Sequence, residues 1–406
     1  FEGKSLTSSD DGATAGQCSS LPYSPRRIED RHRAYANCEV FATKVVDGML
    51  WVFPQSGLEG ILASENRPLP LVSELHDNDS NRQWQSRIPA GVRDFPCGFD
   101  TMIENTLDPA HFCVAHHGTL GNRYKDPSAF DFRVTQPLTS KEGFALDGDM
   151  GSLEFVPPCL VKYRPNYSAM PFQKNLILAT YCVPTKPGWV RPLATVLLRK
   201  PKGSDDRASS LNDKALRSTL SKRALDIFMG SFTPTWFGHI ASSVVLHQDA
   251  GLLHHQYLNM KAMGYYNSTF KKGSTRERSM IYQDLCYTPN RVDKGIVNFR
   301  RWFDTMAGGD VPWACDNPPD SHNQNDNVDI YDMWNAHTKN CQYCSTAYAN
   351  LEAIKKGAYV ISLAALLFLP YEGPERFTVT LAAGGIGFGL EKFNQLFLRY
   401  EYHHHD

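Results

Sequence analysis

Short apolar runs bounded by Pro, Gly and Asp recur from the start of the chain to about residue 200, a pattern that predicts strands rather than helices. The stretch TKVVDGMLWVFP alternates around Asp47 and Gly48, a dipeptide suited to a two-residue hairpin turn, so the first 65 or so residues are read as a small β unit. Further on, FDFRV (130–134), SLEFV (152–156), NLILATYCV (175–183) and LATVLLR (193–199) predict a mostly antiparallel sheet. The polar, breaker-rich stretch KPKGSDDRASSLNDK predicts a loop. Beyond it, Ala215 to Met229 and Ile240 to Lys261 carry helical spacing, and no internal repeat is visible.

The pattern changes near the C-terminus. Ala358 to Pro370 is apolar apart from Ser362 and the hydroxyl of Tyr359, and Phe377 to Leu390 is a Gly-rich run whose polar side chains are Thr378 and Thr380. Each would span roughly 20 Å as helix, short of the ~30 Å hydrocarbon core of a bilayer. The polar turn EGPER joins them, and Lys355, Lys356, Lys392 and Arg399 lie at their outer ends. This arrangement predicts a membrane hairpin, with a soluble helical hairpin as the alternative that the short spans leave open.

Composition narrows the class. A chain of 406 residues with 42% hydrophobic content can bury a large core and suggests two or three domains. A formal net charge of −1, with no long basic run, excludes nucleic acid as a partner. Ten cysteines, mostly far apart in a long chain, fit a reducing compartment better than a disulfide scaffold. The chain begins at Phe1 without an initiator methionine, so further residues are expected upstream, and His403 to His405 are read as a tag remnant.

One stretch concentrates chemistry. ENTLDPAHFCVAHHG, residues 104–118, holds His111, His116 and His117 together with Glu104 and Asp108. Two histidines from one segment form a chelate suited to iron, zinc or copper. The step from His111 to His116 is five residues, about 140° apart on an ideal helix, which excludes the HExxH arrangement of zinc proteases. Ordinary core or surface histidines are the alternative. A third, anionic ligand is suggested by Asp249, which falls in SVVLHQDAGLLHHQ on the stripe of Leu246, Leu252 and Leu253. A carboxylate there needs a metal, an Arg or Lys partner, or a place at the edge of the stripe. His247, His254 and His255 are read as structural.

The run Asn105, Asp108, His111, His116, with DPAH inside it and Gln248-Asp249 about 130 residues later, resembles the mononuclear iron site of Rieske-type oxygenases. FEGKSLT, GMLWVFP and MWNAHTKNCQYC ahead of two apolar segments resemble the plastid branch, which includes pheophorbide a oxygenase, chlorophyllide a oxygenase and the Rieske proteins of the inner-envelope translocon. The resemblance covers essentially the whole chain. It implies iron(II) held by His111, His116 and Asp249, with Asp108 bridging electron transfer between neighbouring subunits and Asn105 in support. It also implies an α+β fold. Residues 1–66 would be the back half of a Rieske β domain, 67–345 a helix-flanked antiparallel catalytic domain, and 346–406 the membrane hairpin and tail.

By the same resemblance the protein uses O2 and ferredoxin-derived electrons to oxygenate a chlorophyll-type tetrapyrrole such as pheophorbide a. It would do so as a homotrimer in the chloroplast, at the inner envelope or thylakoid membrane. Trp236 and Phe237 are candidates for lining a pigment pocket, with core packing as the other reading. A 2Fe-2S Rieske cluster needs two Cys and two His, presented by the family as C-x-H and C-x-x-H. The chain contains no C-x-H, and its C-x-x-H, Cys113 to His116, overlaps the candidate iron motif. Truncation just after the cluster ligands is expected, leaving this chain inactive by itself; natural loss of the cluster is the alternative.

The pair Cys341 and Cys344, in CQYC, has disulfide-exchange spacing. The resemblance makes it a target of thioredoxin, while two free thiols, or half of a metal site, are the other readings. A second functional class therefore stands beside the oxygenase: a non-enzymatic, redox-sensing component of the envelope import machinery.

Overall fold

The computed structural model describes residues 38–76, 84–119, 121–124, 130–166, 176–199, 234–266, 282–313, 328–371 and 373–402. The FEGKSLT start, the expected loop at 200–214, the expected helix at 215–229 and His403 to His405 lie outside the described residues. The chain divides into two units, Phe1–Pro70 and Leu71–Asp406.

In the first unit, strands β1 (Phe41–Val46) and β2 (Met49–Ser56) pair antiparallel, with Val46 opposite Met49. Asp47 and Gly48 have φ of 55° and 75°, the positive pair that a tight hairpin between right-twisted strands requires. Helix α1 (Gly57–Glu65) follows at once.

In the second unit a seven-stranded sheet has the order β3-β9-β8-β7-β6-β5-β4. Strands β4 (Phe132–Thr139), β5 (Gly143–Gly148), β6 (Gly151–Val156), β7 (Leu160–Pro165), β8 (Leu176–Lys186) and β9 (Trp189–Arg199) form a meander, and β3 (Trp84–Val92) pairs with β9 at one edge. Every pairing is antiparallel, as the alternating runs predict. A short helix α2 (Ser73–His76) precedes the sheet.

Three helices build the interior. Helix α3 (Phe99–Leu107) packs on β7, β8 and β9 and is almost wholly buried. A four-residue helix α4 (His111–Val114) follows it. Helix α5 (Thr235–Ala262) packs on α3 and β3, and helix α6 (Lys294–Thr305) covers α3, β4 and β5. Phe155 of the sheet meets Phe299 and Trp302 of α6 edge-on, with ring centroids 5.3 and 4.9 Å apart, an arrangement favoured by the aromatic quadrupole.

Charge is buried deliberately at the α3–α6 contact. Arg300 donates from Nε to Glu104 at 2.5 Å, and from Nη1 to Asp100 at 2.6 Å and to the hydroxyl of Tyr265 at 2.7 Å. The Tyr282 hydroxyl donates to the same Glu104 carboxylate. Glu104 of the opening histidine-rich stretch therefore serves a structural ion cluster.

After helix α7 (Met333–Ala336), helices α8 (Gln342–Phe368) and α9 (Pro374–Leu398) form the hairpin predicted at the C-terminus. Ser362 donates to the Thr380 carbonyl, Tyr359 to Glu391 and Asn394 to Glu352 across it. Gly387 lets α9 approach closely, since a Cβ there would sit 2.8 Å from the Tyr359 ring. Among the described residues, no helix is long and apolar enough to cross a membrane. The apolar runs are cut short on the helices that carry them, bounded by Glu352, Lys355 and Lys356 on α8 and by Glu391 and Lys392 on α9.

Removing the guanidinium while leaving its two acids buried strands their charge. Arg300→Met is expected to lower stability by about 3–5 kcal/mol, read as a drop in the urea midpoint. An unchanged midpoint would show that the cluster contributes nothing net.

Candidate metal centre

Helix α3 stops because Pro109 disfavours helical backbone at the residue before it, and Asp108 leaves the helix at φ −107° and ψ 91°. The Ala110 N–H donates to Asp108 Oδ1 at 2.9 Å, a local turn typical of Asp. This turn lifts His111 off α3 to begin α4, and His116 comes just after α4 ends.

Helix α5 supplies the third group. Asp249 is 3% exposed, and its Oδ2 lies 3.4 Å from His116 Nε2. Asn105 Nδ2 donates to the same oxygen at 3.5 Å. One donor atom from each of His111, His116 and Asp249 lies within 4.8 Å of the others. The helical stripe expected around Asp249 differs in detail: Leu253 is buried with it, but Leu252 is 51% exposed. Asp249 is buried because α5 faces α3 here, not because it sits among leucines.

The surroundings set the protonation of both rings. His111 Nδ1 donates to the Asp108 carbonyl, which can only accept. His116 Nδ1 lies 2.8 Å from Gln248 Oε1, and Gln248 in turn donates to Thr119 Oγ1 at 2.8 Å. His116 Nε2 lies on the Asp249 side of its ring, 3.4 Å from Oδ2, and a ring anchored through its other nitrogen is the arrangement found at metal-binding histidines. Burial, with His116 beside it, brings His111 down to about 3 and keeps it neutral. Burial pushes the Asp249 carboxyl up to about 7, against the pull of its hydrogen bond from Asn105. It also raises Asp108 to about 6. Buried Asp249 Oδ1 has no hydrogen-bond partner. A dication beside it would satisfy that oxygen and hold the carboxylate ionised, so two imidazoles and one carboxylate fit a metal of the iron type.

The neighbouring histidines are employed elsewhere. His117 Nδ1 accepts from the Arg123 N–H at 3.2 Å. His254 donates to the Pro96 carbonyl and His255 to that of Gly251. His247 lies against Tyr331 and Tyr400. Trp236 packs against Phe393 and Phe397 of the hairpin, so it is a core residue. Cys341 and Cys344 are not part of this cluster; they meet His239, ten residues before Asp249 on α5.

Residues 155–266, which include Gln248 and Asp249, match the family model described as pheophorbide a oxygenase. The chain is 23% identical to flavonoid 8-hydroxylase 2 of Ocimum basilicum, over 86% of this chain and 62% of that protein. It is 23% identical to the protochlorophyllide-dependent translocon component 52 of Arabidopsis thaliana, over 97% and 71%, and 22% identical to Arabidopsis pheophorbide a oxygenase, over 78% and 54%. These matches support a relationship to the plastid Rieske-type oxygenases. Those relatives are all named as chloroplastic, which supports a chloroplast location. It spans between about half and about 70% of the length of these relatives. Among solved structures, NdmA of Pseudomonas putida CBB5 is 13% identical with a TM-score of 0.39, over 71% of this chain and 66% of that one. Dicamba monooxygenase is 11% identical with a TM-score of 0.40, over 72% and 75%. The names of the hydroxylase and oxygenase relatives support an oxygenase-type enzyme family.

The Gln248 contact yields a direct test. Gln248→Ala is expected to weaken divalent-metal binding ~10–100-fold with an unchanged circular dichroism spectrum, measured by calorimetric titration. Unaltered affinity would show that Gln248 does not orient His116.

Proposed function

We propose that this chain is the catalytic part of an O2-dependent oxygenase acting on a chlorophyll-type tetrapyrrole such as pheophorbide a, with iron(II) held by His111, His116 and Asp249. The observation that carries the reading is the convergence of these three donors on α4 and α5, with one Asp249 oxygen buried and unpaired. When bound, ferrous iron supplies a redox centre for reductive activation of O2. The protein's own part is to present two imidazoles through Asp108 and Gln248, and to hold Asp249 against Asn105. Burial of His116 and Asp249, at 2% and 3% exposure, keeps bulk water from the donor atoms.

Asp108 is half-buried and touches His111 through its own backbone carbonyl. That contact supports a role for Asp108 in passing an electron to the site, in a homotrimer with ferredoxin as donor. The outer half of the hairpin supports membrane contact, because Phe368, Tyr371, Phe377, Leu381 and Phe388 are all more than half exposed. An apolar surface of this kind fits a lipid interface, with the tip entering one leaflet where tetrapyrrole pigments partition.

The test is turnover by the full-length protein with ferredoxin, isotopically labelled O2 and pheophorbide a. A labelled tetrapyrrole is expected, and Asp108→Asn is expected to keep its iron and lose turnover. Iron-loaded protein that labels no chlorophyll-type substrate contradicts the reading. Label in a flavone instead moves the substrate to that of the flavonoid hydroxylase relative, and stable association with import components without turnover favours the redox-sensing translocon role.

A further inference from the structure

A second convergence of donors lies near the N-terminus of α5. His239 on α5, His337 in the turn after α7, and Cys341 and Cys344 at the start of α8 each offer a donor atom, and these atoms all lie within 4.8 Å of one another. His337 Nε2 is 3.2 Å from Cys344 Sγ. His239 Nδ1 is 3.4 Å from Cys341 Sγ and 3.6 Å from Cys344 Sγ. A tetrahedral zinc with Zn–S of about 2.3 Å and Zn–N of about 2.0–2.1 Å holds its sulfur and nitrogen donors about 3.5 Å apart. We infer that His239, His337, Cys341 and Cys344 form a closed, structural zinc site.

The local fold prepares these groups for a metal. His337 Nδ1 donates to the Val92 carbonyl at 2.6 Å, which turns the Nε2 lone pair toward the sulfurs and supplies the outer hydrogen bond typical of zinc-bound imidazole. Cys341 caps α8 and Cys344 lies in its first turn, where the helix N-terminus favours thiolate. Cys344, His239 and His337 are 0%, 4% and 5% exposed. Two thiolates and two imidazoles around one point suit zinc, and four protein ligands leave no open position for catalysis.

The same donor types hold a Rieske cluster, but there the two cysteines bind one iron and the two histidines the other. That division sets sulfur and nitrogen well apart, whereas here each histidine nitrogen touches a cysteine sulfur. The geometry is that of a single ion. Its effect would be to tie the α7–α8 turn and the hairpin to α5, about 15 Å along the same helix from Asp249. A Cys341–Cys344 disulfide and a zinc ion exclude each other, since both use the same two sulfurs.

The experiment uses the full chain, purified reduced and without oxygen, with metal content measured before and after cobalt(II) exchange. About one zinc per chain is expected, exchangeable for cobalt with the strong thiolate-to-metal absorption of a tetrahedral site. His111→Ala should retain both signals, so the result is independent of the iron reading. Cys341→Ser and His337→Ala should each lose the zinc or abolish the cobalt absorption. Wild-type reduced protein that gives no thiolate–cobalt absorption overturns the inference without recourse to a variant. A Cys341–Cys344 disulfide in the freshly purified chain, or zinc content unmoved by Cys341→Ser, overturns it equally.

Discussion

Carboxylates inside an apolar core must be neutralised, and the fold of the larger unit is organised around how it does so. Asp100 and Glu104 on α3 are met by Arg300, whose planar fork reaches both acids and a tyrosine hydroxyl at once. That contact fixes α3 against α6. Asp249, facing α3 from α5, meets His116 at its Oδ2, and its Oδ1 is left without a partner. The first acid pair is satisfied within the protein; the third acid keeps one buried oxygen that an added cation would satisfy. One helix, α3, thus carries both the structural ion cluster and the turn that launches His111.

Helix α5 makes the complementary link. It presents His239 near its N-terminus and Gln248 and Asp249 in its middle, so the hairpin anchorage and the candidate iron centre share one rigid body. Three donors with a half-buried acid beside them suit chemistry, while four donors tucked under the hairpin suit architecture. The two sets differ as their surroundings do. Asp108 and His111 are half-buried, whereas Cys344 belongs to a buried core with Ile240, Ala347 and Phe397.

Much of this was legible in local pattern. Asp47-Gly48 announces its turn because both residues tolerate positive φ, and the β8 and β9 runs announce themselves because β-branched and aromatic residues dominate them. Residue type and spacing make His111, His116 and Asp249 candidates, and the family resemblance is what joins them into one set. The role of Glu104 is not, because its partner Arg300 lies nearly two hundred residues away and nothing in the local sequence marks the pair. Helix α3 escapes for a similar reason: its buried face carries Asp100, Thr101 and Glu104, which blur the apolar period. CQYC shows two of four donors, and the spacing of His337 ahead of Cys341 was a usable signal, but His239 joins them only through the packing of α5 on α8. Leu252 is exposed although it fits the stripe, because α5 buries a polar face here.

The central claim is that Asp249 and the two histidines act as one metal site. Anaerobic iron(II) titration of the chain, beside Asp249→Ala and His111→Ala, tests it most directly. About one iron per chain, lost in both variants, is the predicted result for a three-donor site. Iron binding that survives Asp249→Ala, or none in the parent chain, contradicts it.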